Sequence, residues 1–367
     1  MNMLKIKPTT IIPIKNRSGF KPSPIYSRDK IGYRFGEQIK KYKPIMFSEK
    51  LTDEVYRLQV KVDSGLIGVK EEDLSSIVGP NELRRIVSEN NNNRKFWVPG
   101  ERPADKKDIP DSKGLENVLS REFGASIHIH TVNSDGAMSV QEILDQAVVY
   151  ADEYAKSHDT RFIVGITDHN TIHGCKEAVK ILAKNPKKYK NLGVVLGTEI
   201  STKENSIGQY ELKKPEKLHI LGLCINPFDY QTNKFFSDLN RGKTCPMNPK
   251  PIGVKDAING LKTQEHNWIS LAHPAFPYMS HRVQNKSDYL DATEEMIRFF
   301  KDTAKDKALY TEHYYASYAK ELATDKNLHN TIKNTADAVG LYKAGGIDTH
   351  GNSIFYGGHV IQTKHNK

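Results

Sequence analysis

SIHIHTVNSDG, residues 126–136, sets two imidazoles into a short apolar run and follows them with a Ser-Asp-Gly turn. Alternate side chains of an extended strand share a face, so His128 and His130 point one way and Ile127 and Ile129 the other. A lone histidine on a strand is ordinarily a hydrogen-bonded core or surface residue. Two on one face, next to a turn, are better suited to holding a ligand, and the neighbouring sequence decides what company they keep.

Beyond residue 122, short apolar runs alternate with helical stretches. The runs predict strands at 125–130, 162–166, 193–197, 218–223, 268–272, 308–311 and 343–347. Helices are predicted at 139–157, 173–184, 253–264, 290–303 and 328–340. In the first of these, Ile143, Ala147, Val148 and Ala151 keep the helical period, and Ser139 with Glu142 has capping-box spacing. Such β-α alternation predicts parallel strands joined by crossover helices. About seven such units predict an α/β fold: a distorted seven-stranded, TIM-barrel-like (β/α) barrel, with a basic, partly disordered N-terminal extension.

The same runs end in polar residues. The first carries His128 and His130, with Asp135 beyond. The second ends in Thr167, Asp168 and His169, and the third in Thr198 and Glu199. His219 belongs to the fourth, His273 closes the fifth, and Glu312 and His313 lie on the sixth. The last leads into Asp348, Thr349 and His350. In parallel barrels the loops after the strand ends form the face that carries active sites. So many imidazoles and carboxylates on one rim would be costly without a cation to organise them. Neutral imidazole and carboxylate suit Zn, Mn or Fe. Singly, each has a plainer explanation: Asp168 as a helix N-cap, Asp135 as a turn residue, Glu199 as a surface pair. Cys224, in an apolar run, reads as core.

HIHTVNSDG, GITDHNTIHG, LGTEIS, LHILGL, LAHP and GGIDTHG, in that order, resemble the PHP (polymerase and histidinol phosphatase) superfamily, most of all its small stand-alone phosphoesterases. The resemblance covers roughly residues 123–360. It implies a phosphoesterase, a hydrolase acting on phosphoric ester bonds, with two or three divalent metal ions (Mn, Fe or Zn) at the rim. The implied ligands are His128, His130, Asp135, His169, Glu199, His219, His273, Asp348 and His350, with Glu199 as a bridge and Asp168 as a supporting residue. The implied activity is hydrolysis of a nucleotide- or sugar-phosphate-like monoester by a metal-activated hydroxide. His169, His350 and Glu199 are the catalytic candidates, one of the two histidines serving to protonate the leaving group. The alternative within the family is an exonuclease or phosphodiesterase acting on DNA or RNA ends. Ile347 stands where the family's last motif usually has Ser. The basic residue that often follows the Ala-His-Pro motif is missing, so the candidates for holding substrate phosphate are His281, Arg282, Arg241 and Lys243.

Two other classes share part of this pattern. Amidohydrolases also begin with His-x-His and end with Asp, but usually need a mid-barrel Lys or Glu ligand and lack the two turns SDG and TDH. A metal-stabilised interaction module would need no chemistry, yet no element of a metal site is missing from the pattern.

The bulk numbers agree with a cytoplasmic enzyme. The chain has 367 residues, three cysteines and a formal net charge of +10. No apolar run is long enough to span a membrane, the start lacks a secretory signal, and sparse cysteines without a CxxC pair fit a reducing compartment. Residues 1–50 hold twelve basic and three acidic side chains. That arm is suited to contact nucleic acid or another polyanion, its plainer reading being a solvated, poorly ordered tail. The expected organisation is the arm (1–50), a short helical extension and linker (51–120), the phosphoesterase domain (121–362) and a tail (363–367). Within the extension, 52–62 and 80–90 read as helices, and 90–114 as linker.

Overall fold

A computed structural model describes residues 49–93, 125–156, 158–216, 218–243, 245–274, 288–315, 325–346, 348–352 and 354. They belong to a unit running from Ser48 to Lys367. The expected basic arm, all but its last two residues, lies outside the described residues, as do the linker beyond Asn93, His281, Arg282, Ile347 and the tail.

Two helices come first, α1 (Glu49–Ser64) and α2 (Pro80–Asn93). Then follow β1 (Ala125–Ser126), α3 (Val140–Tyr154), β2 (Phe162–Ile166), α4 (His173–Lys184) and β3 (Leu192–Ser201). A hairpin of β4 (Glu204–Ile207) and β5 (Tyr210–Glu216) leads to β6 (His219–Leu223). The chain continues through α5 (Tyr230–Leu239), α6 (Val254–Leu261), β7 (Trp268–Leu271), α7 (Tyr289–Ala304), β8 (Ala308–Tyr315), α8 (Lys326–Val339) and β9 (Tyr342–Gly346).

Seven strands form one sheet in the order β1-β2-β3-β6-β7-β8-β9. β2 and β3 are buried along their whole length, as strands covered on both faces must be. The α/β class and the seven strands agree with the sequence. Closure does not follow as expected: the ladder is open between β1 and β9. Among the described residues the outer strands meet only past their ends, where His130 donates its backbone N–H to Thr349 and Thr349 donates to His128. β1 therefore ends as a ladder strand at Ser126, and the His-x-His segment runs on in extended form held by this bridge.

The second correction concerns direction. β6 is antiparallel to both β3 and β7, while the other pairs are parallel. The physical reason is the connection. β3 leaves the rim at Ser201 and the chain returns through a hairpin instead of a crossover helix, so β6 starts where β3 stops, with His219 opposite Ser201. Hence His219, the first residue of its strand, reaches the same rim as residues that end theirs. The hairpin itself is polar and lacks clean alternation, so periodicity does not reveal it. α5 is also absent from the sequence reading, although Asp229 caps it by accepting from Thr232 N at 2.8 Å, a signal readable in the sequence.

α1 and α2 close the opposite end of the sheet. Backbone bonds join Val78 and Ser76 to Val194, near the start of β3. Tyr56 donates to the Ile225 carbonyl (2.9 Å), and the Trp268 indole N–H to the Pro80 carbonyl (2.7 Å). Arg161, just before β2, places one guanidinium nitrogen within 2.6 and 2.7 Å of the two Glu82 oxygens. Asp53 of α1 accepts from the N–H groups of Asn81 and Glu82 and so caps α2. This end carries stabilising contacts, and the rim is left to the polar residues.

Candidate metal centre

All nine ligand candidates come together: each of the six histidines lies within ion-pair reach of at least one of the three carboxylates, and Glu199 is at the centre. Glu199 Oε2 lies 3.2 Å from His128 Nε2, 3.2 Å from His130 Nε2 and 3.1 Å from His169 Nδ1. Its Oε1 lies 2.9 Å from His219 Nδ1 and 3.1 Å from His273 Nε2. Asp348 Oδ1 is 2.9 Å from His130 Nε2 and 3.3 Å from His128 Nε2. On the outer side, Asp135 approaches His350 (3.2 Å), His130 (3.6 Å) and His169 (3.8 Å). Three overlapping sets could each hold a cation: His130, Asp135, His169 and His350; His128, His130, Glu199 and Asp348; and His169, Glu199 and His219. Within each set the ligand atoms lie within 4.8 Å of one another.

Burial sorts the group. Glu199 is wholly buried, whereas the side chains of Asp135 and His350 keep 31% and 28% of their exposure. The open side of the cluster is thus the Asp135–His350 edge. His273 and Asp348 both have left-handed backbones, with φ of 23° and 50°. Such conformations cost non-glycine residues on the order of 1–3 kcal/mol and concentrate at functional sites.

The cluster fits a cation on its own terms. His128 Nε2, both ring nitrogens of His130 and Glu199 Oε2 are buried without a hydrogen-bond partner, although opposite charges lie close by. Close approach without hydrogen-bond geometry is what converging lone pairs produce. Buried polar atoms are otherwise nearly always bonded. Nitrogen and oxygen donors together suit Zn, Mn or Fe.

Electrostatics point the same way. Burial opposes charge on His130, yet Asp348 and Glu199 hold its imidazole up to about 10. His128 is likewise held well above the ordinary histidine range, against burial, by Glu199, Glu312 and Asp348. Burial would raise Glu199, but His219, His128 and His169 keep it well below the carboxylate range. Asp135 falls to about 2 through His350, His169 and His130, again against burial. The carboxylates therefore demand positive charge, which protons supply in the absence of metal. For His169 and His219 burial wins, and both are held down.

A pH prediction follows for the metal-free protein. His130 binds its proton more tightly when folded (about 10) than when unfolded (6.5), so its stabilisation is complete below 6.5 and is lost as pH rises towards 10. His128 and His350 are shifted in the same direction. Chelator-treated protein should melt at progressively lower temperature across that window, with a shallower slope in His130→Gln. Equal slopes in the two proteins would contradict the assignment.

Asp168 is not part of the donor set. Its carboxylate accepts from Thr131 N (2.7 Å), Thr131 Oγ1 (2.9 Å) and Ser134 Oγ (2.9 Å). It thereby fixes the turn between His130 and Asp135. Gly136 completes that turn for a different reason from the one turns usually impose. Its φ is not left-handed, but a Cβ there would lie 2.0 Å from the His130 carbonyl oxygen. Gly136→Ala should therefore displace the turn and destabilise the protein by about 1–3 kcal/mol, read from urea unfolding. An unchanged midpoint would show that the turn yields freely.

Sequence reading missed Glu312 as a member of the site. Its Oε1 lies 2.8 Å from His128 Nδ1, and its Oε2 accepts from His273 N at 2.7 Å. It lies within β8 beside His313, on a run already read as supplying the rim, so the strand it belongs to could have promoted it. His313 turns away instead, with Nε2 on the His329 carbonyl, and burial lowers it to about 4. Among the phosphate candidates, Arg241 is exposed and paired with Asp238, and Lys243 is exposed. Their loop is pinned behind His169, because Asn240 Nδ2 donates to the Asn170 carbonyl and Asn170 Nδ2 to that of Pro246. Among the described residues no helix is long and apolar enough to cross a membrane.

No protein-family model matches the chain, and no curated protein matches it. Among solved structures, a "putative metal-dependent phosphoesterase" from Bifidobacterium adolescentis is similar at 17% identity, over 62% of this chain and 88% of that one, with a TM-score of 0.43.

Proposed function

We propose that this protein is a metal-dependent phosphoesterase of the PHP type that releases phosphate from a small phosphomonoester. One observation carries the reading: three overlapping donor sets share His130, His169 and Glu199 at a single rim. His128, His130, Asp135, His169, Glu199, His219, His273, Asp348 and His350 are the proposed ligands, and Glu199 is the proposed bridge. Divalent ions held there would supply Lewis-acid stabilisation of phosphoryl oxygens and a water acidic enough to act near neutral pH.

The chain's own residues do the rest. Glu199 and Asp348, buried and held ionised, set the charge of the cluster and keep His128 and His130 facing it. The Thr131–Asp168–Ser134 network keeps Asp135 at the mouth. His350, when its Nε2 is not held by a metal, is the histidine best placed to hand a proton to a leaving group. It lies on the open edge, its Nδ1 bonds to the Asp348 carbonyl, and its Nε2 faces Asp135. His169 is more deeply buried and is assigned to ligation alone. Lys243 and Arg241, on the loop behind His169, are the described candidates for contacting substrate phosphate.

The test is a phosphate-release screen of purified protein loaded with Mn(II), Zn(II) or Fe(II). It should cover 5′-mononucleotides, sugar phosphates and an aryl phosphate, with a short oligonucleotide and a cyclic amide as contrasts. Release from at least one monoester, abolished by chelator, is expected. Hydrolysis of the cyclic amide alone would overturn the assignment.

A further inference from the structure

We infer that Glu312 is a positioning residue of the metal centre, fixing which nitrogen of His128 faces the cluster and anchoring the backbone of His273. The inference rests on the metal-centre reading above and extends it to a residue outside the donor set.

Glu312 is buried, and both its oxygens are committed. One sits 2.8 Å from His128 Nδ1 and the other 2.7 Å from the His273 backbone nitrogen. Glu312 belongs to none of the three donor sets, so the carboxylate acts through its two neighbours. A carboxylate only accepts, so Nδ1 of His128 must carry the proton. In the neutral, metal-binding ring Nε2 then keeps its lone pair for the side where Glu199 and Asp348 converge. The second oxygen holds the N–H of a residue whose φ is 23°, and so supports a backbone that would otherwise relax. One carboxylate on β8 thereby couples the segment after β1 to the residue after β7.

The isosteric Glu312→Gln change separates this role from simple packing. An amide oxygen can accept from His273 N or from His128 Nδ1–H, but not from both. If it keeps His273, its NH2 faces Nδ1 and favours the tautomer that protonates Nε2, which closes the lone pair facing the cluster. If it keeps His128, the strained backbone of His273 is released. Outer partners of metal-bound histidines are typically worth about 10–100-fold in metal affinity.

The experiment is competition for Zn(II) between the full-length protein and a chelating dye, for wild type, Glu312→Gln, His128→Ala and the double variant. Glu312→Gln is expected to weaken the tightest affected site by about 10–100-fold. In the His128→Ala background the part of that loss carried through His128 should vanish, leaving a smaller loss carried through the His273 backbone. A packing role would give the same loss in both backgrounds, and that result would overturn the inference, as would wild-type affinity in Glu312→Gln. Should the Gln variant fail to fold, Glu312→Asp, too short to reach both partners, is read by the same criteria. If wild type itself takes up no Zn(II), the metal-centre reading falls and this inference with it. If wild type binds and the cycle shows no coupling, only the role of Glu312 fails.

Discussion

Glu199→Gln is expected to eliminate metal-dependent phosphate release. The loss should go well beyond the roughly 10–100-fold typical of an outer partner, because Glu199 belongs to two of the three donor sets. Its two oxygens face five imidazoles, those of His128, His130, His169, His219 and His273. An amide keeps the shape but brings one donor group into that ring and removes the negative charge. Without that charge the ring of donors attracts a cation less strongly than before. The check need not depend on finding the substrate. A ligand that binds only the folded state raises its melting temperature, so Mn(II) or Zn(II) should raise that of wild type and leave Glu199→Gln unmoved. A full metal-induced shift in the variant would remove Glu199 from the centre.

His130→Ala is the second large effect. His130 also belongs to two donor sets, but to a different pair: the inner one with His128, Glu199 and Asp348, and the outer one with Asp135, His169 and His350. Its loss should empty both and leave the set of His169, Glu199 and His219. Asp135→Asn, which touches the outer set alone, should lose fewer metal equivalents than His130→Ala. Phosphate release should fall for both, most for His130→Ala. The order is the informative part. Equal metal content in the two variants would mean that His130 is not shared.

Much of this was legible in the sequence because ligand chemistry and strand punctuation coincide. β2 and α4 match their predicted bounds, since a fully apolar five-residue run and a periodic helix leave little ambiguity. The nine polar candidates stand out in the sequence because each lies within an apolar run or just beyond one. What could not be read depends on partners distant in sequence. Nothing local in LHILGL reports that β6 runs backwards; that follows from the hairpin before it. Nothing local tells Glu312 from His313, although one is aimed at His128 and the other at the His329 carbonyl. Nothing local in the Ser-Asp-Gly turn reports that Gly136 must lack a side chain because the His130 carbonyl lies against it. The packing of α1 and α2 on the far end of the sheet rests on contacts such as Tyr56 with Ile225, 169 residues apart.

The central claim is that the rim cluster is a metal centre, and counting metals tests it most directly. Purified full-length protein, stripped with chelator, reloaded with Mn(II) or Zn(II) and freed of excess by dialysis, should retain two or three equivalents per chain by elemental analysis, in keeping with the three overlapping donor sets. Retention of less than one equivalent of either metal would contradict the account.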